Sequence, residues 1–217
     1  MKLDTMSQPR LGNRPDAMPN PIRSKPFDGP ISAEAPDWNR ERCKGLWDPP
    51  GRLLRSIRGY QRCRMRGPIF RLVGKYWVLS HRFWSVVCGA DIPIDSQIGG
   101  GLLLVHPNGI VIHPEAVIGP NCLIFHQVTL GHGGPKPGVP ILGGHVDVGA
   151  GAKILGGVRI GDHAKIGANA VVLQDVPAGA TAVGVPAQIL PPRHARELEE
   201  NRESEVRDAG QEPLRRD

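Results

Sequence analysis

The centre of the chain repeats every six residues. Ile92, Ile98 and Leu104 stand six apart, as do Ile112, Ile118, Ile124 and Leu130, and then Leu142, Val148, Ile154, Ile160, Ile166 and Val172. A small or short residue recurs four places later, at Ala116, Cys122, Val128, Ala152, Val158, Ala164, Ala170 and Val176. A helix of period 3.6 cannot keep residues six apart on one face, and a plain hairpin sheet does not repeat so strictly. Period six fits a coil with three flat sides, one hexapeptide per side, which is a parallel β-helix. The aliphatic residue points into the prism and the small one packs beneath it near the corner. Glycine often follows the aliphatic residue (Gly99, Gly119, Gly149, Gly161, Gly167), and is expected to permit the turn between sides. So narrow an interior excludes aromatic rings. Nine of the ten aromatic residues indeed precede residue 85, and Phe125 is the exception.

Two places break phase. The step from Leu104 to Ile112 is eight, which adds two residues around Val105-His106-Pro107-Asn108-Gly109. The step from Leu130 to Leu142 is twelve, and the stretch Gly131–Pro140 is too rich in Gly and Pro for a regular side. It is expected to be an extruded loop. Irregularities on a rigid scaffold are where ligand chemistry tends to sit.

The rest of the chain differs in chemistry. Residues 1–45 are Pro-rich and polar, with no hydrophobic period, and are expected to be disordered. Residues 46–89 read as a helical segment. Leu53, Leu54, Ile57 and Tyr60 recur at helical spacing up to Gly67-Pro68, and an amphipathic helix follows from Ile69 to Cys88. Residues 90–190 are the β-helix domain, and residues 191–217 a charged tail. The net charge of +6 belongs to one part: residues 40–86 carry 12 basic and 2 acidic residues, residues 87–190 only 4 and 6. The basic, aromatic stretch of residues 53–88 reads first as a cap under the first coil and second as a peripheral contact with an anionic membrane. It has no nucleic-acid-binding motif. No apolar run reaches the roughly 18 residues of a membrane span, and the N-terminus lacks the apolar stretch of a secretory signal. Cys43, Cys63, Cys88 and Cys122 form no CxxC pair. A reduced, cytoplasmic protein is the expectation.

Several segments resemble those of the serine acetyltransferases, within the hexapeptide-repeat acyltransferases. They include Gly89-Ala90-Asp91-Ile92-Pro93, His106-Pro107-Asn108-Gly109-Ile110-Val111, Val128-Thr129-Leu130-Gly131 and Gly149-Ala150-Gly151-Ala152-Lys153-Ile154-Leu155-Gly156. Ala164-Lys165-Ile166-Gly167-Ala168 and Val183-Gly184-Val185-Pro186-Ala187 extend the match. The resemblance implies a left-handed coil, a homotrimer, and acetyl-CoA as cosubstrate in a groove between prisms. It implies His106 as general base and Asp91 as its orienting carboxylate. It further implies Ala150 and Ala168 beside the pantetheine, Lys165 at the nucleotide phosphates, Gly131 and Gly133 at the thioester, and no metal. The acceptor it implies is a small-molecule hydroxyl, serine or serine-like.

The chain also departs from the family pattern. Val105 stands where the serine enzymes carry an Asp, and Gly138-Val139 where they carry an Arg-His pair that grips the serine carboxylate. The long helical domain that pairs trimers is reduced to about 40 residues. Those changes make a sugar or polysaccharide intermediate the alternative acceptor. The terminal Arg215-Arg216-Asp217 lacks the apolar hook of a cysteine synthase complex, so no such complex is expected. His113, His145 and His163 read as solvated corners; His126 and His132 sit nearer the presumed cleft.

Overall fold

The structure, a computed structural model, describes residues 31–45, 47–64, 69–192 and 195. The expectations for residues 1–30, Gly67-Pro68 and almost all of the charged tail lie outside the described residues. Two helices precede the coil, α1 (Pro49–Arg64) and α2 (Ile69–Cys88). The first coils hold strands β1 (Gln97–Ile98), β2 (Leu103–Val105), β3 (Val111–Ile112), β4 (Val117–Ile118), β5 (Leu123–Phe125) and β6 (Thr129–Gly131). After the loop come β7 (Ile141–Leu142), β8 (Asp147–Val148), β9 (Lys153–Leu155), β10 (Arg159–Ile160), β11 (Lys165–Ile166) and β12 (Val171–Val172). The coil closes with β13 (Thr181–Val183) and an antiparallel β14 (Gln188–Leu190).

Every third strand stacks on the same side, so the sheets run β1-β4-β7-β10, β3-β6-β9-β12 and β2-β5-β8-β11-β13. All pairings within these three stacks are parallel, and the expected parallel β-helix is what forms. In register, Ile98 sits under Ile118, Leu104 under Ile124 and Ile112 under Leu130. All thirteen aliphatic positions of the repeat are buried, as are the eight small ones. Burying such a side chain contributes about 1.5–3 kcal/mol, so the stacked ladder is the core.

The glycine after each aliphatic residue has a different reason from the one expected. A Cβ at Gly119 would meet the Gly143 carbonyl oxygen at 2.3 Å, and one at Gly149 the Ala168 nitrogen at 2.6 Å. Glycine is needed there because the next coil's backbone passes too close for any side chain. The left-handed turn lies two residues further on, at Asn121 (φ 61°), Gln127 (56°), His145 (53°), His163 (59°) and Asn169 (56°). Short polar and imidazole side chains tolerate that conformation best after glycine.

Residues 31–45 are not the unpacked segment that composition suggests. They run along one edge of the prism, held by Asn121 at a left-handed corner. Its Oδ1 accepts from the Asp37 N–H (2.7 Å), and its Nδ2 donates to the carbonyls of Ser32 (2.8 Å) and Ala35 (2.7 Å). A Cβ at Gly144 would overlap the Ala33 carbonyl. A short 3-10 helix, Trp38–Glu41, then presents Glu41. Its carboxylate pairs with Arg58 (2.8 Å) and accepts from the Leu102 N–H (3.1 Å). Side chains thus replace the hydrophobic periodicity that would have flagged the segment.

Leu53, Leu54 and Ile57 of α1 are buried. The Arg58 guanidinium donates to the carbonyls of Ile98 (2.6 Å) and Gly99 (2.7 Å), and so ties α1 to the first coil. Gly59 lets Trp77 of α2 lie directly on α1, since a Cβ there would stand 2.3 Å from the indole. His81 Nε2–H donates to the Ile92 carbonyl (2.9 Å). The outer face of α2 exposes Val73, Tyr76, Leu79, Phe83 and Val86. No helix among the described residues is long and apolar enough to cross a membrane.

Candidate active site

His106 stands at the edge where the β2 stack turns into the β3 stack. Its backbone is left-handed (φ 50°), a conformation that costs a residue with a Cβ roughly 1–2 kcal/mol. Backbone bonds hold it there. The Asn108 N–H donates to the His106 carbonyl (2.7 Å) and the Gly109 N–H to that of Gly89 (2.7 Å). The two extra residues of the phase break form this corner, and the imidazole above it is exposed. Asp91 lies on the adjoining face. Its N–H donates to Ile110 (2.8 Å), its carbonyl accepts from Ile112 (2.9 Å), and it bridges Val111. The fold therefore brings both residues to one corner of the first coils, with no hydrogen bond between the two side chains.

The same edge continues upward. Val105 pairs with Phe125, so His126 follows His106. The Gly151 N–H donates to the His126 carbonyl (2.9 Å) and the Asn169 N–H to that of Ala150 (2.8 Å). The edge therefore reads His106, His126, Ala150, Ala168: two imidazoles, then two methyl-sized positions against which a long ligand can lie. His126 Nδ1 is buried with no hydrogen-bond partner among the described residues. Lys165 is exposed on β11, three residues before Ala168, between Asp147 and Thr181 of the neighbouring strands.

Gly131 and Gly133 are placed differently. They lie at the far edge of the β3-β6-β9-β12 face, where Gly131 pairs with Leu155, and within one chain they do not meet His106. The loop is exposed from His132 to Gly138 and folds back on the next coil. The Gly156 N–H donates to Gly131 (3.0 Å), the Gly157 N–H to Lys136 (3.0 Å), and Lys136 pairs with Asp175 (2.8 Å).

A cleft of about 260 Å³ opens beside His106, between β2 and the segment bearing Arg42, Lys44 and Asp48. Arg42, Lys44 and Asp48 thus line the cleft that reaches the candidate base, together with Glu41, which is already paired with Arg58. Arg42 and Lys44 lie in the aperiodic residues 1–45 and Asp48 just before α1, so no sequence pattern marks any of the three. Arg40 lines the same cleft. Burial lowers its pKa, and Asp37 offsets this in part.

Residues 140–174 match the family described as bacterial transferase hexapeptide (six repeats). A serine acetyltransferase of Synechocystis sp. is 50% identical over 119 residues, 53% of this chain and 47% of the relative. The soybean serine acetyltransferase complexed with serine superposes with a TM-score of 0.54 at 38% identity, over 64% of this chain and 56% of that one. The Brucella abortus serine acetyltransferase in complex with coenzyme A gives 0.54 at 33%, over 64% and 54%. The chain spans about half the length of the curated relatives it matches. These matches bear out the resemblance to the serine acetyltransferases.

Proposed function

We propose that the chain transfers an acetyl group from acetyl-CoA to the hydroxyl of serine, with His106 as general base. The observation that carries this is the single edge running from the strained His106 corner to Ala150 and Ala168, in a region similar to enzymes solved with coenzyme A and with serine. A hydroxyl is a poor nucleophile at neutral pH. The imidazole takes its proton as the oxygen attacks the thioester carbonyl. The tetrahedral intermediate then collapses, the C–S bond breaks, and the imidazolium returns the proton to the departing CoA sulfur. Asp91 orients the imidazole and stabilises its cationic form. Ala150 and Ala168 admit the pantetheine, and Lys165 meets the nucleotide phosphates.

Gly131 and Gly133 reach the thioester from a neighbouring prism. Their distance from His106 within one chain supports a homotrimer, and a backbone N–H of that loop is the candidate oxyanion donor. No residue in this scheme requires a metal.

Serine is a zwitterion, and its charges need partners once it leaves water. Arg42 and Lys44 supply cations for the carboxylate and Asp48 an anion for the ammonium. This answers the loss of the loop pair and favours serine over the sugar alternative, as do the names of the relatives. The four free cysteines suit the reducing cytoplasm. The apolar stripe of α2, beside a strongly basic segment, suits peripheral contact with an anionic lipid surface.

A CoA-release assay with serine against a panel of sugars tests the acceptor. Serine is expected to drive release, and Arg42→Ala to raise its KM at least about tenfold, the effect of losing one charged contact, with little change in the KM for acetyl-CoA. Release driven by a sugar and not by serine overturns the choice of acceptor.

A further inference from the structure

Across the same face from His106, beside the glycine loop, lies a cluster the proposed reaction does not use. His113 follows β3, Glu115 is two residues on, and His132 opens the loop after β6. One donor atom from each lies within 4.8 Å of the other two. The coil creates this proximity, because the His113 N–H donates to the Leu130 carbonyl (2.8 Å). Residues 19 apart in the chain become neighbours, and their rings meet edge to face at 4.3 Å.

We propose that His113, Glu115 and His132 bind one first-row divalent metal ion, of which Zn²⁺ best suits two imidazoles and a carboxylate. His132 is already set for it. Its Nδ1 lies 3.0 Å from the Gly138 carbonyl, which can only accept, so Nδ1 carries the proton and Nε2 keeps its lone pair. A backbone carbonyl on the second ring nitrogen is the usual support of a metal-binding histidine. His113 Nδ1 accepts from the Glu115 N–H at 3.2 Å. That ring nitrogen therefore carries a lone pair, which the ion would take in place of the Glu115 N–H. Ligand atoms around a tetrahedral zinc stand about 3.3 Å apart. The three donors therefore close by about 1.5 Å at most, within reach of side-chain rotation.

Three protein ligands leave a fourth position for water. The ion joins His132 of the loop to His113 and Glu115 of the coil, and so fixes the loop that carries Gly133. The sequence expectation of no metal rests on the family pattern, which this cluster does not follow. The other close pair, His145 and His163 with Nδ1 atoms 2.8 Å apart, belongs to no such three-residue cluster among the described residues, and serves as a control.

The test uses tag-free full-length protein stripped with chelator and titrated with Co²⁺, read by its visible absorption and then by Zn²⁺ displacement. One Co²⁺ per chain is expected to bind and be displaced. His113→Ala and His132→Ala, shown folded by circular dichroism, each weaken binding at least tenfold, while His163→Ala leaves it unchanged. Hydrogen exchange of the loop amides slows when Zn²⁺ is added. No stoichiometric uptake by the wild type, unchanged affinity in both variants, or loss only in His163→Ala overturns the site. The readout needs no acyl transfer, so it stands or falls apart from the proposed reaction.

Discussion

Asn121 shows how much one side chain can decide. It occupies a left-handed corner and its amide makes the three bonds that hold residues 32–37 to the coil. Asn121→Ala removes all three and leaves a Cβ residue at positive φ. The expected loss is about 2–4 kcal/mol in urea unfolding. Asn121→Gly relieves the backbone but not the bonds, and falls between the variant and the wild type. Stability of Asn121→Ala within about 0.5 kcal/mol of wild type, the range of an ordinary surface change, would show that the segment is not held this way. At the same scale, the His106 corner pairs backbone strain with an exposed imidazole. Such strain persists only where the surroundings enforce it.

The elements differ in how plainly the sequence announces them. Ile154, Ile160 and Ile166 mark their sides because one position in six must be aliphatic for the prism to fill, and the two helices follow from Leu53, Leu54, Ile57 and the run from Ile69. Residues 31–45 gave no such sign. They are held by Asn121, Glu41 and Arg58, polar contacts between residues far apart in the chain, which leave no periodic trace. The candidate site divides likewise. His106 is visible at its phase break, whereas Arg42 and Lys44 reach its cleft only through that irregular segment, and His132 reaches His113 only through coil stacking. The junction of α2 with the coil also has a pH signature. Burial lowers the pKa of His81, opposed in part by its hydrogen bond to the Ile92 carbonyl and by Asp91, and at a corner of the coil burial likewise lowers that of His145, opposed in part by Asp147. Their folded pKa values lie below the unfolded value near 6.5, so the unfolded chain binds protons first as pH falls. Thermal stability is expected to be full above about pH 6.5 and to decline toward pH 5. His81→Gln flattens part of that decline. A melting temperature rising from pH 7 to pH 5.5 would contradict the sign.

For the whole molecule, the coil is a one-dimensional stack, one edge of which is covered by residues 31–45. In the proposed closed cyclic trimer, flat faces of neighbouring prisms would pack together and one chain's Gly131 loop would meet another's His106 edge. Three chains of 23.5 kDa predict a mass of about 70 kDa by light scattering, and a stable monomer would leave Gly131 and Gly133 without a role. Acetyl transfer through His106 is tested most directly by CoA release from acetyl-CoA in the presence of serine, comparing wild type with a folded His106→Ala. General-base catalysis contributes about 10²–10⁴-fold. The predicted result is serine-dependent release by the wild type that falls at least about 100-fold in the variant, with acetyl-CoA affinity unchanged. Equal turnover by the two proteins would contradict it.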